Sequence, residues 1–330
     1  MLANRSGRRA ALAFLLLFPA GLSTNALAAP KAYAVEVPTP SGIKYDVGTP
    51  PKSPQIFIHD DRSGEELEFS KGTLMSGIEV GGTPINAFEF MRAGLQQELA
   101  SRGVAVTLDS AAEGKPSVTL RAFRIRNYRA SGFSPFVTFT YVAADIDDGT
   151  VKKRVGVFVK RAKVPVWSFG EVIDPAFNQP LSIAVKELAS KVSNVLYNYR
   201  ASDATVDGLV AKISGDKGDD TYRDTYALGF TNNPRAVPKL VELTKASDEY
   251  VRLAAISSLG TLHATDQFGL LKSIYQGSGI WQDKGMALKA IGDLDTAEGK
   301  AFLAEVAKSM EASSDPKESG WTLAIIHMYQ

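Results

Sequence analysis

His59 stands directly before Asp60 and Asp61. An imidazole beside two carboxylates could ligate a divalent metal or share acid–base work in a hydrolase. Adjacent strand residues point to opposite faces, so the competing reading is a strand end that runs into an Asx-type turn. Asp145, Asp147 and Asp148 offer the oxygen ligands that calcium takes. Asp147-Asp148-Gly149 is also what a tight hairpin turn needs, and the spacing of a dedicated calcium loop is absent. Gly77, Gly81 and Gly82 precede a helical run as in a phosphate loop, but no Lys-Ser/Thr pair closes the motif. No nucleophile has a base and an orienting acid in its local context. The chain therefore reads as non-enzymatic, with no catalytic residue, metal or cofactor expected.

Charge is the stronger signal. Between Lys115 and Lys163 stand eleven cationic residues, among them Arg121, Arg124, Arg126, Arg129, Lys152 and Arg154, against Asp145, Asp147 and Asp148. Strand alternation puts Arg124 and Arg126 on one face and Arg121 on the other unless a bulge intervenes. A basic sheet face suits anionic lipid headgroups, a glycan or an acidic partner. Tyr250, Tyr275 and Trp281, further along, are amphipathic aromatics of the type that anchors interfaces. Together with the basic residues they form the expected binding set.

The whole chain of 330 residues has a net charge of only +1 and 45% hydrophobic residues, which is globular composition with no global pull toward nucleic acid. Arg5, Arg8 and Arg9, a short apolar run to Leu22 and the small residues through Ala29 read as a cleaved secretory signal over residues 1–29. With no cysteine, an exported chain must hold together by packing alone. The expected location is the periplasm, with outer-membrane association and peripheral membrane contact as further expectations. No nucleic-acid partner is expected there.

Residues 30–54 carry six prolines and read as an extended arm, with a short edge strand at Val35, Val37 and Tyr45 as the alternative. A strand follows at Ile56 and Ile58. Thr83 and Pro84 then cap a helix with Phe88, Met91, Leu95 and Leu99 on one face, closed by Gly103. Residues 104–108 predict one strand, and 117–128, 137–146 and 151–166 an antiparallel meander. Leu181 to Tyr199 predicts a second helix. This order makes residues 55–199 an α+β domain, an antiparallel sheet with two helices. Asp60-Asp61-Arg62 on the opening strand, Leu95-Gln-Gln-Glu-Leu99 before Gly103, and the strands that follow resemble the YajG-type family of Gram-negative outer-membrane lipoproteins. The resemblance implies an envelope setting, and the chain departs from the family in lacking the lipidated cysteine.

Residues 200–218 are polar and read as a linker, although Val206, Leu209, Val210 and Ile213 are spaced to make a helix turn or more. Beyond it, Leu228-Gly229, Leu259-Gly260 and Ile291-Gly292 recur at spacings of 31 and 32, each followed at fixed offsets by Leu240, Leu271 and Leu303 and by Leu243, Ile274 and Val306. A fixed period of this length signals stacked helix pairs. The stretch from Asp248 to Gly260 resembles the second-helix signature of HEAT repeats, which implies a short all-α solenoid over residues 219–330. Within it, Asp248 and Arg252 are spaced as a helical acid–base pair. So few repeats must be covered by the sheet domain, a second copy or another protein. The expected function is a periplasmic protein-binding scaffold. The alternatives are an anionic-lipid or glycan binder using the basic strands, and a metal-dependent envelope hydrolase centred on His59, Asp60 and Asp61.

Overall fold

A computed structural model describes residues 32–73, 77–131, 133–215, 218 and 220–330. The expected signal segment lies outside them, as does Met75 in the loop or weak hairpin that the glycines from Gly72 to Gly82 lead one to expect. In chain order the elements are β1 (Tyr33–Val35), β2 (Gln55–Asp60), β3 (Ser70–Gly72), β4 (Ile78–Val80), β5 (Thr83–Pro84), α1 (Ala87–Ser101), β6 (Thr107–Asp109), β7 (Ser117–Tyr128), β8 (Phe136–Asp147) and β9 (Lys152–Lys163). Helices α2 (Gln179–Tyr197), α3 (Asp203–Gly215), α4 (Thr221–Phe230), α5 (Val237–Leu243), α6 (Glu249–Thr261), α7 (Phe268–Gly277), α8 (Trp281–Asp293), α9 (Ala297–Glu311) and α10 (Pro316–Ile326) complete the fold. The class is α+β, 51% helix and 19% strand among the described residues, a sheet-containing region followed by a helical one.

The main sheet runs β6-β2-β7-β8-β9, with β3 also on β7. The meander β7-β8-β9 is antiparallel over its full length. The sheet as a whole is mixed, not antiparallel as expected, because β2 and β3 pair parallel with β7 and β6 pairs parallel with β2. The helix α1 lies between β2 and β6, and a parallel neighbour needs such a crossover. A second small sheet, β1-β4-β5, takes up Thr83 and Pro84. Gly81 and Gly82 both have positive φ and turn the chain between β4 and β5, as a two-residue hairpin loop requires. The expected cap is thereby displaced: Asn86 caps α1, its side chain accepting the Glu89 N–H at 3.1 Å. The glycines serve a hairpin, not a phosphate loop.

β8 is buried on both faces. Val142, Ala144 and Ile146 pack with Val157, Met91, Leu95, Leu188 and Val192 beneath α1 and α2. Phe139, Tyr141 and Ala143 face the other way, against Phe158, Met286 and Ile326. The helical region thus sits on the second sheet face, and its closing helix is held there by Trp321, whose ring centroid lies 5.0 Å from those of Phe139 and Trp281. The surface that too few repeats leave uncovered is met by the sheet of the same chain.

The proline-rich arm is not a free linker. Val35, Ile43 and Tyr45 are buried, β1 pairs with β4, and the Tyr45 hydroxyl donates to the Phe230 carbonyl at 2.7 Å, reaching α4 from the arm. The expected linker at 200–218 is likewise structured, since α3 buries Val206 and Ile213 among the helical-region core. Those two apolar residues fall seven apart, which returns them to the same face of a helix.

The three periodic glycines have a shared role. Each precedes by three a residue in the left-handed region, Asn232, His263 and Asp295, so the inner helices α4, α6 and α8 end in the same geometry. Each also lies where a β-carbon would collide with the next unit: Gly229 with Ser258, Gly260 with the Ala290 backbone, Gly292 with the Tyr329 ring. Close backbone approach between successive inner helices therefore generates the repeat. Arg252 reaches across the same junction to Asp283 at 3.1 Å, while Asp248 caps α6 by accepting the Val251 N–H at 2.9 Å. The expected pairing of Asp248 with Arg252 within the helix is replaced by a cap and an inter-unit bridge. Each partner satisfies a stronger need than an exposed helical pair would.

Four charges are buried where α2 meets α8. Lys191 lies 2.8 Å from Glu187 and 2.7 Å from Asp293; Lys289 lies 2.8 Å from Asp293 and also bonds Glu187. All four side chains are at most 1% exposed. Lys191 donates as well to the Gly156 carbonyl of β9, and the Tyr250 hydroxyl bonds the Ala162 N–H and C=O at 3.1 Å. An unpaired edge strand invites association with other chains; here side chains from α2 and α6 occupy part of the hydrogen-bonding edge of β9.

Candidate partner-binding surface

His59, Asp60 and Asp61 do not form one site. The His59 Nε2 is 3.9 Å from Glu113, Asp60 takes a two-point bond from Arg62 at 2.7 and 2.8 Å, and Asp61 pairs with Arg121. Among the described residues no three His, Asp or Glu side chains are grouped to hold a metal ion. Asp147 accepts the Gly149 N–H and pairs with Lys115, while Asp148 accepts the N–H groups of Thr150 and Val151 within its own hairpin. Hydrogen bonds from Thr150 and these amides pull the Asp148 carboxyl down to about 2.

The basic strands are neutralised from within. A bulge between Leu120 and Ala122 brings Arg121 to the face that holds Asp145 and Tyr141. Asp145, nearly buried, then pairs with Arg121 at 2.8 Å, Lys152 at 3.1 Å and Arg154. Arg124 pairs with Glu66 and lies over the Tyr141 ring at 5.3 Å, and Arg126 donates to the Glu68 carbonyl at 3.0 Å. The Arg129 backbone N–H donates to Thr73. Glu65, Glu66 and Glu68 sit in a turn far away in sequence, so a count along the strands misses them. Burial raises the Asp145 carboxyl, but bonds from Arg154, Arg121 and Lys152 outweigh it and hold it at about 2. A carboxylate with a depressed folded pKa stabilises above its unfolded pKa and loses that contribution as pH falls through the folded one. Asp145→Asn is accordingly expected to cost about 2 kcal/mol at pH 7. In urea unfolding the gap to the unmodified chain should close between about pH 4 and pH 2; a gap that is constant with pH would refute this.

Nor are the three expected aromatic anchors free. The Tyr275 ring meets Phe302 edge-on at 5.5 Å; Trp281 packs on Phe139 and donates its indole N–H to Thr322 at 3.0 Å. Tyr250 is committed to Ala162 and to Arg161, whose guanidinium lies 3.9 Å from its ring centroid and 4.2 Å from that of Tyr222. Trp281 and Tyr250 are spent on the junction between helices and sheet, and Tyr275 on packing between α7 and α9, in place of the expected interface with a partner.

Among the described residues the most exposed large apolar side chains, Phe133 and Trp167, lie at one end of the sheet. Trp167 is 91% exposed, and Val166 and Val164 beside it are 66% and 41% exposed. Phe133, 96% exposed, belongs to the neighbouring β7–β8 loop, since Phe136 and Lys163 are register partners at that sheet end. The Trp167 loop is held: the Glu171 carboxylate accepts the N–H groups of Val166, Trp167 and Ser168 at 3.0, 2.8 and 2.9 Å. Those bonds, the Val166 amide foremost, keep the Glu171 carboxyl below the usual glutamate range. Glu171 and Lys163 also line a groove of about 840 Å³ that runs between the sheet end and the first turns of α4 and α6, with Arg161, Tyr222 and Tyr250 in its wall. The sequence signal for this surface is the run Val164-Pro165-Val166-Trp167, apolar yet placed after the last strand, where a turn should be polar.

Among the described residues no helix is long and apolar enough to cross a membrane. No protein-family model matches the chain. No curated protein matches it either. A solved structure titled "Crystal structure of uncharacterized protein" aligns with 52% of this chain and 99% of its own at 10% identity, with a TM-score of 0.25, a similarity that carries no argument about fold or activity.

Proposed function

We propose that the protein is a non-enzymatic, exported protein-binding scaffold of the Gram-negative envelope, in which a YajG-like sheet domain and HEAT-like helix pairs form the body that presents the Trp167 surface. The observation that carries this reading is a tryptophan almost fully exposed on a loop whose backbone is fastened by Glu171. Tryptophan is enriched among residues that dominate protein–protein affinity, and a loop already ordered in the free protein loses less entropy on binding. A basic face for lipid or glycan is disfavoured by the internal pairing of Arg121, Arg124, Lys152 and Arg154, and a hydrolase by the divergence of His59, Asp60 and Asp61.

A photo-reactive amino acid at position 167 of the full chain, illuminated in intact cells, is expected to give a protein adduct of one discrete mass. The same probe at Lys308, on the exposed side of α9, should not give that adduct. Adducts to lipid alone, or the same diffuse pattern from both positions, would defeat the proposal.

A further inference from the structure

The groove beside Trp167 has its own electrical character. Among its lining side chains are four carboxylates, Glu171, Asp174, Asp220 and Asp248, against two cations, Arg161 and Lys163. Arg161 is withdrawn from the surface, 8% exposed, and pressed between the Tyr222 and Tyr250 rings with Gln179 as hydrogen-bond acceptor at 2.8 Å. Asp174, Asp220 and Asp248 are exposed; Arg223 beside the groove pairs with Asp220, which leaves four carboxylates against three cations there. In a chain of net charge +1 this is a local negative excess, and a concave wall of low dielectric focuses it. Beside the groove, Val164, Val166 and Trp167 supply the apolar contact that carboxylates do not.

We infer that this groove receives a cationic segment of a partner protein, with lysine or arginine side chains lying among Asp174, Asp220 and Asp248 and an apolar residue of the same segment packed on Trp167. The inference rests on the protein-binding reading and adds the chemistry of the partner. A membrane surface is the other occupant that an exposed tryptophan suits, but the envelope lipids that attract proteins electrostatically are anionic, and the carboxylates beside Trp167 repel them.

The test uses the full chain and two ten-residue peptides that share a central leucine and differ only in having lysine or glutamate at alternate positions. Trp167 emission is the readout, with Trp167→Phe identifying its contribution above Trp281 and Trp321. The lysine peptide is expected to shift the emission to the blue. Asp174→Asn combined with Asp220→Asn is expected to weaken its binding tenfold or more, and so is raising the salt from 50 to 500 mM. Equal binding of both peptides, or lysine-peptide binding indifferent to salt, overturns the inference, and the salt series decides even if the double variant folds poorly. A larger shift with phosphatidylglycerol vesicles than with the lysine peptide overturns it in favour of a membrane surface. A specific protein adduct at position 167 together with charge-indifferent peptide binding would sink this inference and leave the scaffold reading standing.

Discussion

Replacing Lys289 by methionine is expected to destabilise the protein by about 3 to 5 kcal/mol, the usual cost of leaving a buried charge without its partner. Lys289 pairs with both Glu187 and Asp293, so its loss leaves two carboxylates to Lys191 alone in a site closed to water. Burial pushes the Asp293 carboxyl up, but the ammonium groups of Lys191 and Lys289 outweigh it and hold it below the ordinary aspartate value. The melting temperature should fall by roughly 10 °C. The double variant Lys289→Met with Glu187→Met leaves one neutral pair, Lys191 with Asp293, and is expected to be more stable than Lys289→Met alone. That ordering separates the electrostatic account from simple loss of packing, because packing losses at two neighbouring sites would accumulate. If the double variant melts lower than both single ones, the account is wrong. The sign with pH follows from Asp293: its contribution is complete above an unfolded aspartate pKa near 3.8 and fades as pH falls below it.

Gly260→Ala carries the second large effect. A β-carbon there would stand 2.5 Å from the Ala290 Cα and 2.7 Å from its carbonyl oxygen. Backbone cannot rotate aside as a side chain can, so α6 and α8 must separate. Alanine would favour the helix by about 1 kcal/mol, yet the loss of close packing should exceed it and leave a net cost of about 3 kcal/mol or more. Gly269→Ala in α7 is the control, since nothing lies within 4 Å of its added carbon, and it should stabilise by about 0.5 to 1 kcal/mol. Thermal melts of both variants decide the matter. Similar shifts at the two positions would mean that helix propensity, not the junction between units, governs the array.

Much of the architecture was legible because it is written in short-range pattern. The meander over β7, β8 and β9 followed from β-branched runs and turn residues, and the helix pairs followed from the recurrence of Leu228, Leu259 and Ile291 ahead of their glycines. What failed depended on distant partners. Thr83 and Pro84 have the composition of a helix start but are claimed by β4, and the arm reads as a linker until Tyr45 is seen bonded to Phe230. The basic strands looked available because Glu66 and Asp61 lie more than fifty residues upstream of the cations they neutralise.

The sequence by itself determined the class of each local element and the periodic stacking of the helical region, because hydrophobic period, caps and turn glycines act over a few residues. Only the tertiary structure decided what those elements cover and what they leave bare. It placed the helices on the second sheet face and closed four charges between α2 and α8. It also spent Tyr250, Tyr275 and Trp281 on internal packing, while Trp167 was left in solvent on its loop. The physical reason is that exposure is a property of where chain segments meet, and neither charge counts nor aromatic content along the chain encodes which partners arrive from elsewhere in it.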